Sequence, residues 1–186
     1  MSEKRSFLPH LAVALRLTVI SAAVVLLISG VNYFTKDRIA ENVQKKTDAA
    51  MAELFPEGEV GITSFQLTEK EKACVTEIYS VKNDGYITGY CIAVKANGFG
   101  GEISLIVGVT SGSKIAGVKV ISHSETPSVG APVLSDGGLL NGFANLYTTA
   151  VGSVDSVSGA TLTSDAVKEA VKTAADLAER IISENG

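Results

Sequence analysis

An α+β fold is expected, in which one N-terminal transmembrane helix precedes an antiparallel-sheet domain flanked by helices. Three observations carry that expectation. From Leu17 to Thr35 there is no charged residue, and Val19 to Val31 is dominated by Val, Ile, Leu and Ala. Between Ile62 and Ile121, short segments rich in β-branched and aromatic residues alternate with turn residues. Near the C-terminus, apolar residues recur at helical spacing. With 186 residues the chain has room for one anchor and one ordinary domain. The expected boundaries are 1–36 for the tail and transmembrane helix, 37–60 for a stalk helix and linker, and 61–186 for the domain.

At about 1.5 Å per residue, the helix from Leu11 to Phe34 crosses a hydrocarbon core about 30 Å thick. Arg16 lies near one end, where its side chain snorkels to the headgroups, and Tyr33 and Phe34 suit the opposite interface. A cleaved signal peptide fits less well, because Ser21-Ala22-Ala23 lies inside the apolar run and Ile28-Ser29-Gly30 is a poor cleavage site. A retained single-pass anchor, in contact with membrane lipid, is therefore expected. Lys4, Arg5 and Arg16 on one side are matched by Lys36, Arg38, Lys45 and Lys46 on the other, so charge gives no orientation.

Next, Ile39, Val43, Ala50, Met51 and Leu54 are spaced as an amphipathic helix over Asp37 to Leu54, which Pro56-Glu57-Gly58 ends. Its plain role is a stalk, or a helix packed on the sheet. The strand segments follow: Val75 to Val81, Tyr86 to Val94, Ile103 to Val109 and Ile115 to Ile121, with turns at Asn83-Asp84-Gly85 and Ser111-Gly112-Ser113. Cys74 and Cys91, the only thiols, flank the first hairpin; a disulfide between them requires a shifted register, and the other reading is two buried thiols. In the last helix Val167, Ala170, Val171, Ala174, Ala178, Ile181 and Ile182 form one stripe, while Lys168, Glu169, Lys172, Asp176, Glu179 and Arg180 face water. Thr163 or Ser164 is the expected N-cap, and Asp165 suits the positive end of the helix dipole.

Several function classes are excluded. The formal net charge is −4 and no basic run with interleaved aromatics occurs, which argues against a nucleic-acid partner. There is no glycine-rich dinucleotide fingerprint, no P-loop and no paired C-x-x-C set. His10 and His123 are the only histidines, too few for a multi-histidine metal site, and no catalytic acid/base pair stands out.

The stretch Asp155-Ser156-Val157-Ser158-Gly159-Ala160-Thr161 is the most informative. It resembles the D-x-x-[S/T]-G-A-[S/T] acceptor motif of proteins that carry FMN on a threonine or serine through a phosphoester bond. The acceptor would be Thr161. The plain alternative is a Ser/Gly/Thr loop that merely enters a helix. A phosphate on Thr161 would sit beside a helix N-terminus, where unpaired N–H groups favour anions, and Gly159 and Ala160 keep the approach open.

Two further segments extend the resemblance: Gly98-Phe99-Gly100-Gly101, leading into Glu102 to Val109, and His123-Ser124-Glu125-Thr126-Pro127-Ser128-Val129-Gly130. With Thr161 they resemble the FMN-binding domain of the G subunit of Rnf complexes, and are similar also to the C subunit of the sodium-pumping quinone reductase. The family's segment reads close to H-x-E-T-P-G-L-G; here Ser128 and Val129 stand in place of its Gly and Leu. As alternatives, the glycines serve a sharp bend, Glu125 braces its turn, Pro127 fixes one, and His123 is a surface histidine.

The resemblance implies a cell-membrane electron carrier in a complex coupling ferredoxin:NAD electron transfer to sodium or proton translocation. Its partners would be the other subunits of that complex and, for maturation, a flavin transferase. It also implies an FMN domain on the extracytoplasmic side. The expected cofactor contacts are Thr161, Ser158, Gly159, Ala160, Thr163, Asp155, His123, Glu125, Thr126, Pro127, Val129, Phe99 and Gly100, with Phe99, Pro127 and Val129 as apolar platform for the flavin ring. No catalytic side chain and no metal is expected. The rival reading is an extracytoplasmic, membrane-anchored assembly module whose Ser-Gly-Ala-Thr loop stays unmodified.

Overall fold

In the computed structural model, residues 4–135 and 138–185 are described. Helix α1 runs unbroken from Lys4 to Leu54. The span and stalk helices expected separately are thus one, because no Gly or Pro separates Phe34 from Ile39 and the intervening Lys36 and Arg38 are good helix formers. The chain divides into two compact units, Met1–Gln44 and Lys45–Gly186. In the first, the apolar side chains are exposed, Leu26 at 72% among them. This helix, with mean hydropathy 2.2 in its most apolar window, is long and apolar enough to cross a membrane.

The second unit is built on a five-stranded antiparallel meander: β1 (Glu59–Thr63), β2 (Val75–Asn83), β3 (Tyr86–Asn97), β4 (Glu102–Thr110) and β5 (Ile115–His123), paired in chain order. The four expected strand segments are β2 to β5. Asp84 and Gly85, both at positive φ, form the two-residue turn between β2 and β3, as the primed hairpin turns require.

Alternation along the strands separates two cores. On one face Tyr90, Ile92, Val94, Leu105 and Val107 pack with Val167, Val171, Ala174 and Leu177 of the last helix, which is named α5 below (Thr161–Asn185). On the other, Tyr79, Val81, Cys91 and Ile106 pack with Ala50 and Met51 from the end of α1. Leu54 and Phe55 press into a hollow on that face. A Cβ at Gly89 would stand 2.8 Å from the Phe55 ring, and one at Gly117 would stand 2.8 Å from Leu54 Cδ2. Glycine in these strands thus marks a close approach.

The cysteines follow from this division. Cys91 sits in the α1-side core, where burial pushes its thiol up to about 12. Cys74 ends the short helix α2 (Glu69–Cys74) and packs toward the α5-side core. Both are free, on opposite sides of the sheet, so a disulfide does not form.

Helix α2 opens with a capping box, an element absent from the sequence-based expectations: Thr68 and Glu71 satisfy each other's backbone N–H groups. Burial raises the Glu71 carboxyl, but hydrogen bonds from Thr68 and the Arg180 guanidinium at 2.6 Å outweigh it and hold the group below the usual carboxylate range. The chain returns from β5 through α3 (Gly130–Ser135), α4 (Gly138–Asn141) and a 3-10 turn at Thr148–Ser153, with Phe143 fully buried beneath them. That route brings residue 161 back to the end of the sheet where β5 stops.

Candidate functional site

The start of α5 is the centre of the site. The helix begins at Thr161, not after Thr163 or Ser164. Ser164 N–H donates to the Ala160 carbonyl at 2.9 Å, which puts Ala160, a residue without a capping side chain, at the N-cap. The expected caps lie inside the first turn instead: Ser164 is buried, its hydroxyl donating to the Ala160 carbonyl at 3.0 Å and accepting from Val157 N–H at 3.1 Å. A turn closed by Ala160 N–H on the Val157 carbonyl at 3.1 Å launches the helix, with Gly159 at φ +84°. That φ is why this motif position must tolerate left-handed backbone. Asp165 accepts from the Ser156 hydroxyl at 2.6 Å and so ties the motif's start to the helix.

Two consequences matter chemically. Among the described residues, no acceptor meets the backbone N–H groups of Thr161, Leu162 and Thr163. The Thr161 side chain is exposed, with its hydroxyl beside that positive helix end. An anion esterified there would find donors already oriented.

Around Thr161 runs a groove in two adjoining parts. The smaller, about 300 Å³, is lined by Phe99, Val129 and the run Gly159 to Thr163. The larger, about 490 Å³, shares Val129, Gly159 and Ala160 and adds Ser128, Val133, Leu139, Val157 and Ser158 among its walls. Phe99, 68% exposed, and Leu162, 65% exposed, flank its mouth. The lining is mostly apolar with few polar groups, the usual character of a small-molecule site.

The walls are held by glycines and one carboxylate. Gly98 N–H donates to the Gly101 carbonyl at 2.9 Å, closing the turn that presents Phe99. Glu125 Oε2 accepts from Gly100 N–H at 3.0 Å. A Cβ at Gly100 would lie 2.8 Å from the backbone of Ser124, Glu125 and Thr126, so the two loops meet backbone to backbone. The Thr126 carbonyl accepts from Val129 N–H at 3.2 Å and from Ala131 N–H at 3.1 Å, which starts α3. Ser128 does not take a positive φ, so this loop closes without left-handed backbone at that position.

Of the expected contacts, Phe99, Val129, Ser158, Gly159, Ala160, Thr161 and Thr163 line the groove. Gly100, Glu125 and Thr126 build its wall from behind. Three are not brought in. Asp155 is exposed and lines a neighbouring hollow with Gly142 and Leu146. Pro127 is exposed outside both linings, and His123 is exposed with its Nδ1 accepting from Glu125 N–H at 3.3 Å, which braces the loop. Sequence reasoning misses Val133, Leu139 and Val157 as groove residues; they carry no signature of their own and only the fold brings them together. Gly130 gains its significance in three dimensions, through its contacts with Glu125 and Thr163. Among the described residues no group of three or more His, Cys, Asp or Glu could hold a metal ion.

Comparison with known proteins bears on the same residues. Residues 98–176 match the FMN-binding domain, a range that runs from the Phe99 turn through Thr161 into α5. Residues 11–54 match the RnfG N-terminal region. The G subunit of the ion-translocating oxidoreductase complex of Haemophilus influenzae (strain PittEE) is 30% identical over 182 residues, covering 88% of this chain and 84% of that protein. The G subunit of the Na(+)-translocating ferredoxin:NAD(+) oxidoreductase complex of Acetobacterium woodii is 30% identical, over 62% of this chain and 60% of that one. A crystal structure of Shewanella oneidensis NqrC is similar with a TM-score of 0.45 and 24% identity, over 52% of this chain and 53% of that one.

Proposed function

The chain belongs to the family of G subunits of ion-translocating oxidoreductase complexes, and we propose that it is a membrane-anchored electron-transfer subunit holding FMN through a phosphoester to Thr161. The observation that carries this reading is the exposed Thr161 at an uncapped helix N-terminus, opening into a mostly apolar groove. Those features fit FMN: donors for a phosphate at one end and apolar walls for a flat ring at the other. When bound, FMN supplies the electron chemistry that no side chain in the groove possesses.

The protein's part is to hold, orient and shield. Thr161 fixes the phosphate end. The N–H groups of Leu162 and Thr163 would donate to its charge, and Phe99 and Val129 would give the ring apolar contacts. Because Phe99 and Leu162 remain exposed at the mouth, a partner protein of the complex can approach closely enough for exchange while the covalent bond prevents loss of the cofactor.

The complex in this reading couples ferredoxin:NAD electron transfer to translocation of sodium or protons, with the other subunits as partners. The domain from residue 61 onward lies on the extracytoplasmic side, residues 1–36 anchor it in lipid, residues 37–60 connect the two, and a flavin transferase makes the bond. Expression with and without such a transferase tests it. Protein made with the enzyme should be yellow and fluorescent on a denaturing gel, and Thr161→Ala should be neither while remaining folded. A colourless, unmodified wild-type chain from the native complex would instead support an assembly module.

A further inference from the structure

Behind the apolar walls lies a polar feature that attachment at Thr161 does not use. Glu125 is 6% exposed and Thr163 1% exposed. Among the described residues, Glu125 Oε1 and Thr163 Oγ1 are buried and have no hydrogen-bond partner. The second carboxylate oxygen, Oε2, accepts from Gly100 N–H. Gly130 separates carboxylate from hydroxyl: a Cβ there would stand 2.2 Å from Oε2 and 3.0 Å from Thr163 Oγ1. Only glycine fits between them. Oε1 lies toward Gly98, where a Cβ would stand 1.8 Å from it. The carboxylate oxygen on the Thr163 side is therefore Oε2, which keeps acceptor capacity beyond its one bond to Gly100. Leaving the Thr163 hydroxyl unmet in a low-dielectric interior is costly.

Three wall segments converge on this carboxylate: the turn carrying Phe99, the loop carrying Val129, and the first turn of α5 carrying Thr161. We propose that Glu125 and Thr163 are positioning residues forming a buried latch, in which the Thr163 hydroxyl donates to the Glu125 carboxylate across Gly130 when a flat aromatic ligand is seated. The inference rests on the reading of the groove as a flavin site. Glu125 does not line the groove, so it acts on the ligand through the segments it holds. Its bond to Gly100 already fastens the Phe99 turn; the bond to Thr163 fastens that assembly to the helix bearing the attachment residue. Phe99 and Val129, both exposed, gain contact by moving inward over a ring, and the Phe99 turn draws Gly100 and Glu125 with it.

The test uses the full-length protein in detergent, with and without attached flavin. Two quantities are read: hydrogen exchange at the Gly100 amide, and quenching of flavin fluorescence by iodide. Attachment should slow Gly100 exchange roughly ten-fold in the wild type. Read on the flavin-bearing fraction of each protein, Thr163→Val should lose that slowing and leave the flavin several-fold easier to quench. Thr163→Ser should restore both properties. Glu125→Ala should behave as Thr163→Val does; if it fails to fold, the Val and Ser pair decides alone. A flavin-bearing wild type whose two readouts are unchanged by Thr163→Val would overturn the latch and leave attachment standing. A wild type that bears no flavin would overturn attachment, and the latch with it.

Discussion

The two halves of α5 obey different rules. From Val167 to Ile181 its inward side chains are fully or nearly fully buried against the sheet, and its buried Thr173 hydroxyl donates to the Glu169 carbonyl at 2.9 Å. Arg180 pairs with Glu71 at 2.6 Å, stacks 5.2 Å from the centre of the Phe65 ring, and its neighbour Glu179 accepts from the Thr148 hydroxyl. At the other end, Thr161 to Thr163 present unmet N–H groups, an exposed acceptor hydroxyl and a buried hydroxyl without a partner. One end is complete in the isolated chain. The other is complete only with something added, and such local violations of good packing concentrate where function lies. Stability and cofactor binding should therefore separate along a single helix.

The largest expected effect is on the finished end. Leu177→Ala, at a fully buried position, should cost about 2–5 kcal/mol of unfolding free energy in urea titrations of the full chain. Flavin attachment to the protein that stays folded should continue. If attachment fell in parallel with Thr161 untouched and the fold intact, the two halves would not be independent.

Arg180→Ala comes next, at about 1–3 kcal/mol, because it leaves the mostly buried Glu71 without its cation. The same pair predicts a pH dependence. Glu71 has its folded-state pKa depressed, so the stability it contributes is present above the ordinary carboxylate pKa and is lost as pH falls through the folded value. Wild type should exceed Glu71→Gln in thermal midpoint at neutral pH, and the gap should shrink on acidification. A gap that widened in acid would reverse the assigned sign.

A smaller effect concerns the thiols, which sharpen the contrast between packed and open regions. Cys91, buried with its pKa pushed up to about 12, should resist alkylation at neutral pH until the sheet unfolds. Cys74, half-buried, should label first. Equal labelling rates in the native protein would contradict the separation of the two cores. The smallest stability effect should come from Thr161→Ala. An exposed surface change of this kind stays within about 0.5 kcal/mol of wild type, and the variant should nonetheless lose all covalent flavin.

Much of this is legible in the sequence because it is local. Strands β2 to β5 announce themselves by β-branched runs between turn residues, α5 by its stripe, and the attachment residue by seven consecutive positions. What escapes depends on contacts between distant segments. The hollow that receives Leu54 and Phe55 requires Gly89, Gly108 and Gly117 from three strands, and none of them signals its neighbour in the chain. Sequence places the start of α5 too late because Ser164 looks like a cap, whereas its hydroxyl serves the turn before it. His123 and Asp155 sit beside family residues in sequence, but the strand end and the 3-10 turn direct them away from the groove. The capping box at Thr68 and Glu71 is local too, yet the strand pattern around it dominates its surroundings.

The central claim is that the open end of α5 carries a covalent flavin on one hydroxyl. Protein purified from the native complex, digested and fragmented by tandem mass spectrometry, tests it at residue level. The account predicts that the peptide containing residue 161 bears the mass of FMN less one water, with the increment localised to Thr161. An unmodified Thr161, or an increment localised to Ser158 or Thr163, would contradict it.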